Sequence, residues 1–230
     1  MDHTGWKGAG FAVQWLGRAL VVHSRRTRLV IDPGPSAITP PVDHLDAVIL
    51  TSGRMHAIGG LLPLLGALAG ARTNRALTVV HPLGDDRAPA VTAAWQHGWS
   101  DDLELVLDAV VPGQPIDVGD LEIQTFALRC GEPAWSEANA VRNLTGMGLE
   151  IRRGDARVVW VPSTVAGAQI HKRCAGAALA VLQVGAIPWP KSERPWRMTV
   201  DQAVAAAAGA EVVWLVGDDG EPVRAAETEA

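Results

Sequence analysis

Few side chains in this 230-residue chain have both the chemistry and the setting for catalysis or metal binding. His56 and Cys130 can each ligate a transition metal, through imidazole and thiolate. A stable site normally takes three or four protein ligands. A third would have to come from a distant residue such as His81 or His171. The simpler readings are a hydrogen-bonded loop histidine and a small buried thiol. Gly217-Asp218-Asp219 imitates a polymerase metal motif, but no second carboxylate motif accompanies it, and it reads as a turn. Asn143-Leu144-Thr145 matches a glycosylation sequon that matters only in a secreted protein. The chain has no P-loop, no Gly-x-Ser-x-Gly elbow and no His-Glu-x-x-His. The most unusual local feature is Trp189-Pro190-Lys191-Ser192-Glu193-Arg194-Pro195-Trp196-Arg197, a stiff loop with two indoles and three basic groups.

Short strands and helices alternate around these residues. Phe11–Leu16 places Phe11, Val13 and Trp15 on one face. Ala19–His23 and Arg28–Asp32 form a hairpin across a polar turn, and Asp32-Pro33-Gly34-Pro35 ends the second strand. Asp46–Leu50 is a short apolar strand. Gly59–Gly70 spaces Leu61, Leu62, Leu64, Leu65 and Leu68 as a buried helix, with Pro63 in its first turn where a missing N–H costs little. Leu77–His81 predicts a strand and Ala88–Trp99 a helix. The second half repeats the alternation, with strands over Leu121–Leu128, Gly148–Arg152, Arg157–Val161 and Ala178–Gln183. A helix over Thr199–Gly209, with Asp201 suited to its N-terminal dipole, leads to a last strand at Glu211–Val216. No linker splits the chain. The pattern predicts one layered α+β domain over residues 1–217, sheets inside and helices outside.

Composition narrows the classes further. A chain 48% hydrophobic and 20% charged is not mostly disordered. The net charge is −5, and the tail Asp218–Ala230 accounts for most of it, with five acids against Arg224 alone. The near-neutral body offers no basic field for nucleic acid. With nine Trp, two Phe and no Tyr, any aromatic pocket wall must be built mainly from indoles, although most of them are expected in the core. The longest uncharged stretches, Ala57–Ala71 and Ala175–Trp189, fall short of the roughly 20 apolar residues of a spanning helix, and Gly and Pro interrupt both. Met1-Asp2-His3 is no signal-peptide start, and two cysteines make no disulfide framework, so the expected setting is the cytoplasm.

An ordered run of segments carries a family resemblance. Trp15-Leu16-Gly17, Leu29-Val30-Ile31-Asp32-Pro33-Gly34, Asp46-Ala47-Val48-Ile49-Leu50-Thr51 and Ile58-Gly59-Gly60-Leu61 come first. Phe126–Gly131, Val158–Thr164, Arg197–Ala203 and Val212–Gly217 follow more weakly. Together they resemble the metallo-β-lactamase superfamily, closest to the branch with ribonuclease Z and the L-ascorbate-6-phosphate lactonase type. The resemblance implies a four-layer αββα sandwich and a metal centre built from an HxHxDH loop and later ligands.

At the positions matching those ligands this chain has other residues. Ser52 and Arg54 stand for the two histidines of the HxH, His56 for the aspartate and Ala57 for the last histidine. Cys130, Ser163 and Gly217 stand at the later ligands, and Arg18 and Arg197 replace two further family histidines. The resemblance therefore implies a dismantled metal site with no metal or other cofactor. It points to a non-catalytic binding or partner subunit that uses the vacated cleft for an anionic small molecule or a protein partner. The cleft would be bounded by Arg54 and Arg197, with Arg18 on the same side, and roofed by Trp196 or Trp135. The alternatives are an internal salt bridge from these arginines to an acid such as Asp32, and an atypical hydrolase of a phosphate- or lactone-bearing molecule using one metal on His56 and Cys130. A ribonuclease-like role fits poorly with the near-neutral body.

Overall fold

The structure is a computed structural model and describes residues 5–35, 45–71, 76–99, 103–133, 141–185, 197–217 and 222–223, with the backbone alone at 130–133, 141–145 and 222. Seven strands, β1 (Gly5–Gly8), β2 (Phe11–Leu16), β3 (Ala19–His23), β4 (Arg28–Ile31), β5 (Ala47–Ile49), β6 (Leu77–Pro82) and β7 (Leu105–Val110), form one sheet in chain order. The other seven, β8 (Pro115–Val118), β9 (Leu121–Pro133), β10 (Val141–Arg153), β11 (Ala156–Val161), β12 (Leu179–Val184), β13 (Val213–Gly217) and β14 (Pro222–Val223), form a second sheet, also in chain order. Each half opens as an antiparallel meander and continues with parallel strands. The parallel strands need crossovers. Helices α2 (Leu61–Gly70) and α3 (Arg87–Trp99) supply those after β5 and β6, and α4 (Ala168–Cys174) and α5 (Val200–Ala206) those after β11 and β12.

Three apolar layers hold these elements together. Between the sheets, Phe11, Val13, Trp15, Ile31 and Ile49 meet Ile123, Leu149, Ile151, Trp160 and Val181. On the outer face of the first sheet, Leu61, Leu64, Leu65, Leu68 and Trp95 cover Val21, Val30 and Val48. On the outer face of the second, Ile170, Cys174 and Ala203 cover Phe126, Val159 and Leu182. This is the helix–sheet–sheet–helix order expected from the sequence, with the two leucine- and alanine-rich helices outside as predicted. Helix α5 begins where Thr199 and Gln202 form a reciprocal capping box, with Asp201 in the first turn.

Most strand limits agree with the sequence pattern to within two residues, and the exceptions have physical causes. β9 and β10 are 13 residues each and pair over a long ribbon, so they outrun the apolar alternation that marks the buried part of a strand. β1, β7, β8, β14 and α4 were not expected. Each is short, lies at a sheet edge or buries few side chains, and so leaves little periodic signal.

Two polar clusters fasten the frame away from the parallel-strand ends. Asp120 accepts hydrogen bonds from the hydroxyls of Ser24 and Thr27 and from Arg153 Nε, and Arg153 Nη1 reaches the Gly10 carbonyl at 3.0 Å. Four hairpin turns from both sheets are joined there. The hydroxyl donors, Ser24 first, hold the Asp120 carboxyl down at about 2. On the outer face of the second sheet, the buried Glu150 carboxylate meets Arg152 at 2.6 Å, Arg173 at 2.9 Å and Arg157 at 3.3 Å. Arg157 also donates to the Ala175 carbonyl at 2.6 Å, at the end of α4, and Arg173 lies over the Phe126 ring. Burial pushes the Glu150 carboxyl up, but the guanidinium groups, Arg173 first, outweigh it and hold it below the ordinary range.

Candidate functional site

A cleft opens where β4, β5, β11, β12 and β13 end, the place where open sheets with parallel strands commonly take ligands. Each side of it is set by local backbone rules. Gly17 and Arg18 form the two-residue turn between β2 and β3, with φ of 48° and 82°. That left-handed pair suits the twist of a tight hairpin. Arg18 pays the steric cost of a side chain there and lines the cleft.

Asp32 leaves β4 with φ 48° and is buried at the wall of the cleft. Its Oδ1 accepts the Thr51 backbone N–H at 2.7 Å, and its Oδ2 accepts the Thr51 hydroxyl at 2.6 Å and the Trp160 indole N–H at 2.9 Å. Burial pushes its carboxyl up to about 6 against the pull of those three donors. The Thr51 carbonyl accepts the Met147 N–H at 3.0 Å from β10, so the segment after β5 is pinned to the opposite sheet.

That segment, Thr51-Ser52-Gly53-Arg54, is buried throughout. A side chain at Gly53 would collide with the Asp85 carboxylate, which accepts the Arg87 N–H at 3.1 Å, while Arg87 Nη1 donates to the Gly53 carbonyl at 3.2 Å. Ser52 Oγ accepts the Arg54 N–H at 3.4 Å. The Arg54 side chain, only 4% exposed, crosses between the sheets, and its Nη1 donates to the Ser163 carbonyl at 3.4 Å beyond β11. Ser163 N–H in turn donates to Gln183 Oε1 at 3.1 Å.

The short helix α1 (Met55–Ile58) then carries His56 into the cleft. Burial first, then the charges of Arg54, Arg197 and Arg18, holds its imidazole at about 3. His56 is therefore neutral at physiological pH and sits in a positive potential. Trp15 and Trp160, 5.7 Å apart between ring centroids, form an indole wall, completed by Gln183 and Gly217. The cavity itself is about 10 Å³, room for about one water, and it opens to solvent beyond.

The structure thus gathers Arg18, Asp32, Arg54, His56, Ser163, Arg197 and Gly217 at one end, with Ser52 and Ala57 buried beside them. Trp135, Trp196 and the remainder of the Trp189–Arg197 loop lie outside the described residues. Cys130 falls in β9, and its side chain is likewise outside them. The two distant histidines do not join the cleft. His81 is buried and alternates with Val80, which faces the central core, so it points to the helix-covered side. His171 is exposed on α4. Sequence reasoning missed Trp160 and Gln183. The signal for Gln183 was present, since it is the one polar residue in the wholly buried run Leu179–Val184.

Comparison with known proteins agrees with this architecture. The family profile described as the beta-lactamase superfamily domain covers residues 27–216. The chain belongs to the metallo-β-lactamase superfamily. It is similar in structure to the metallo-β-lactamase fold protein YhfI from Bacillus subtilis, with a TM-score of 0.63 at 20% identity over 86% of this chain and 76% of the other. It is also similar to Zn(2+)-bound PqqB from Methylobacterium extorquens, with a TM-score of 0.61 at 15% identity over 87% and 77%. For human tRNase Z, short form, the TM-score is 0.63 at 13% identity over 86% and 83%. No curated protein matches the chain in sequence. At such identities the likeness is one of fold.

Among the described residues, the side chains of the cleft do not fit the superfamily's metal ions. Ala57 and Gly217 have no ligand atom, and Arg54 is a permanent cation buried beside them. The charges that depress His56 would equally oppose a second cation. Among the described residues, no three His, Cys, Asp or Glu side chains are grouped as metal ligands. Among the same residues, no helix is long and apolar enough to cross a membrane.

Proposed function

We propose that this chain is a non-catalytic member of its superfamily, a cytoplasmic binding or partner subunit whose metal site has been replaced by a cationic cleft for a small anion. The observation that carries the reading is the buried guanidinium of Arg54. It stands at a position of the family's metal loop, and Arg18 and Arg197 join it in setting the potential around His56. Planar guanidinium forks suit carboxylates and phosphates, and a small indole-walled cleft suits the end of a ligand rather than a whole polymer.

Metal content and zinc response test this directly. Protein purified without chelator should hold well under one zinc, iron or manganese per chain, and added zinc should leave the melting temperature unchanged, since a ligand that binds only the folded state must raise it. A clear zinc-dependent rise would overturn the reading. If that rise disappeared in His56→Ala and Cys130→Ala, the atypical hydrolase with one irregular metal would take its place.

A further inference from the structure

We propose that β7, a free edge of the first sheet, pairs antiparallel with β7 of a second copy of this chain, joining the two first sheets across a two-fold axis. The inference is independent of the cleft. An edge strand presents a row of unpaired N–H and C=O groups, and proteins blunt such edges with proline, lysine or short length. The other sheet edges among the described residues follow that rule. β1 carries Lys7, β8 is four residues opening on Pro115, and β14 is two residues opening on Pro222. β7 runs for six residues, Leu105-Val106-Leu107-Asp108-Ala109-Val110, without a proline or a basic side chain.

The backbone shows which groups are open. The Glu104 carbonyl accepts from Leu77 N–H at 2.9 Å and the Val110 carbonyl from Leu83 N–H at 2.7 Å, so with the β6–β7 register Val106, Asp108 and Val110 turn their backbone groups to β6. Leu105, Leu107 and Ala109 turn theirs outward. Side chains cap the two ends of this outer row. Gln96 Nε2 donates to the Leu105 carbonyl at 3.2 Å, and Gln114 Oε1 accepts the Val111 N–H at 2.8 Å. Between the caps, no described residue meets the N–H and C=O of Leu107 and Ala109. Exposed apolar side chains mark both ends of the strand. Trp99 stacks on Trp95, which donates to the Leu103 carbonyl just before β7, and Leu83 and Val111 lie at the far end. An antiparallel second copy brings the Trp99 end of one chain to the Leu83 and Val111 end of the other, twice over. A register centred on Leu107 sets Asp108 opposite Val106 of the second copy. It thereby keeps the two Asp108 carboxylates, the only charges on the strand, from facing each other.

Sedimentation equilibrium of the intact chain, over a concentration series reaching about 100 μM so that a weak interface is populated, tests the pairing. The mass should rise towards twice 24.3 kDa. Amide exchange followed by NMR should slow at Leu107 as the dimer forms and stay constant at Asp108, whose N–H already faces β6. Ala109→Pro puts a ring on the outer row without removing a bond to β6, and it should return the mass to 24.3 kDa. Ala109→Lys, a charge on the same edge, should do the same and serves if the proline variant fails to fold by circular dichroism. A monomer throughout the series would overturn the proposal. So would a dimer that survives both substitutions, which would use another surface. A monomer with a slowly exchanging Leu107 amide would also overturn it and assign the edge to a segment of the same chain.

Discussion

Three arginines act on Glu150 and three on His56, with opposite consequences. At Glu150 the centre is a carboxylate, and Arg152, Arg157 and Arg173 all lie within 3.3 Å of its oxygens. The attraction drives its carboxyl below the ordinary range despite burial. At His56 the centre is an imidazole. Burial and the charges of Arg54, Arg197 and Arg18 act in the same direction, so its proton is expelled. The first arrangement anchors α4 to the sheet. The second holds a positive potential at the mouth of a cleft. The same side chain can serve as structure or as a site, and the group at the centre decides which.

The comparison breaks most visibly at Glu150. Glu150→Ala would leave three partly buried guanidinium groups without their shared partner. Removing one side of a buried ion pair costs about 3–5 kcal/mol. The arginines are 24–40% exposed, which puts the expected loss nearer the lower figure. Urea unfolding monitored by circular dichroism would measure it. A loss below about 1 kcal/mol, the scale of an exposed pair, would mean that the cluster is surface decoration.

At His56 the corresponding test is pH. An imidazole at about 3 in the folded chain and at an ordinary 6.5 when unfolded is protonated more readily after unfolding. Its contribution to stability is therefore full above pH 6.5 and is lost as pH falls towards 3, reaching about 2 kcal/mol by pH 5. Glu150 also loses its contribution in acid, but only as pH falls below its ordinary 4.5. His56→Gln, neutral throughout, should remove that loss between pH 6.5 and 5, uncovering the opposite slope of Asp32, whose carboxyl at about 6 takes up its proton in the folded chain first, and leave the lower limb in place. Parallel curves for the two proteins across that window would show that His56 titrates normally.

These clusters differ in how far the sequence discloses them. The cleft arginines were legible because each sits in a motif-like segment next to a strand end: Arg18 after β2, Arg54 after β5 and Arg197 before α5. The Glu150 cluster was not, since Glu150, Arg152 and Arg157 read as ordinary polar positions on strands. Only the fold brings α4 over that face. The same contrast holds for the scaffold. Strands with clean alternation, such as Phe11–Leu16, were read to the residue. The ribbon of β9 and β10 and the edge strand β7 depend on partners and not on pattern. Asp32 was foreseen as an acid near the arginines. That it is held by Thr51 and Trp160 depends on Trp160 crossing from the other sheet, 128 residues away.

The smallest effect sharpens the picture of the cleft. If the three arginines set the potential at His56 as their placement implies, removing each should raise its imidazole pKa, in the order Arg54, then Arg197, then Arg18. Burial is the largest cause and persists in every variant, so none should restore the ordinary 6.5. Imidazole carbon–proton NMR across a pH titration would read this for Arg54→Met, Arg197→Met and Arg18→Met. A coordinated change in that order would tie all three charges to one site. An unchanged value in Arg197→Met would remove Arg197 from the cleft and leave a two-arginine site.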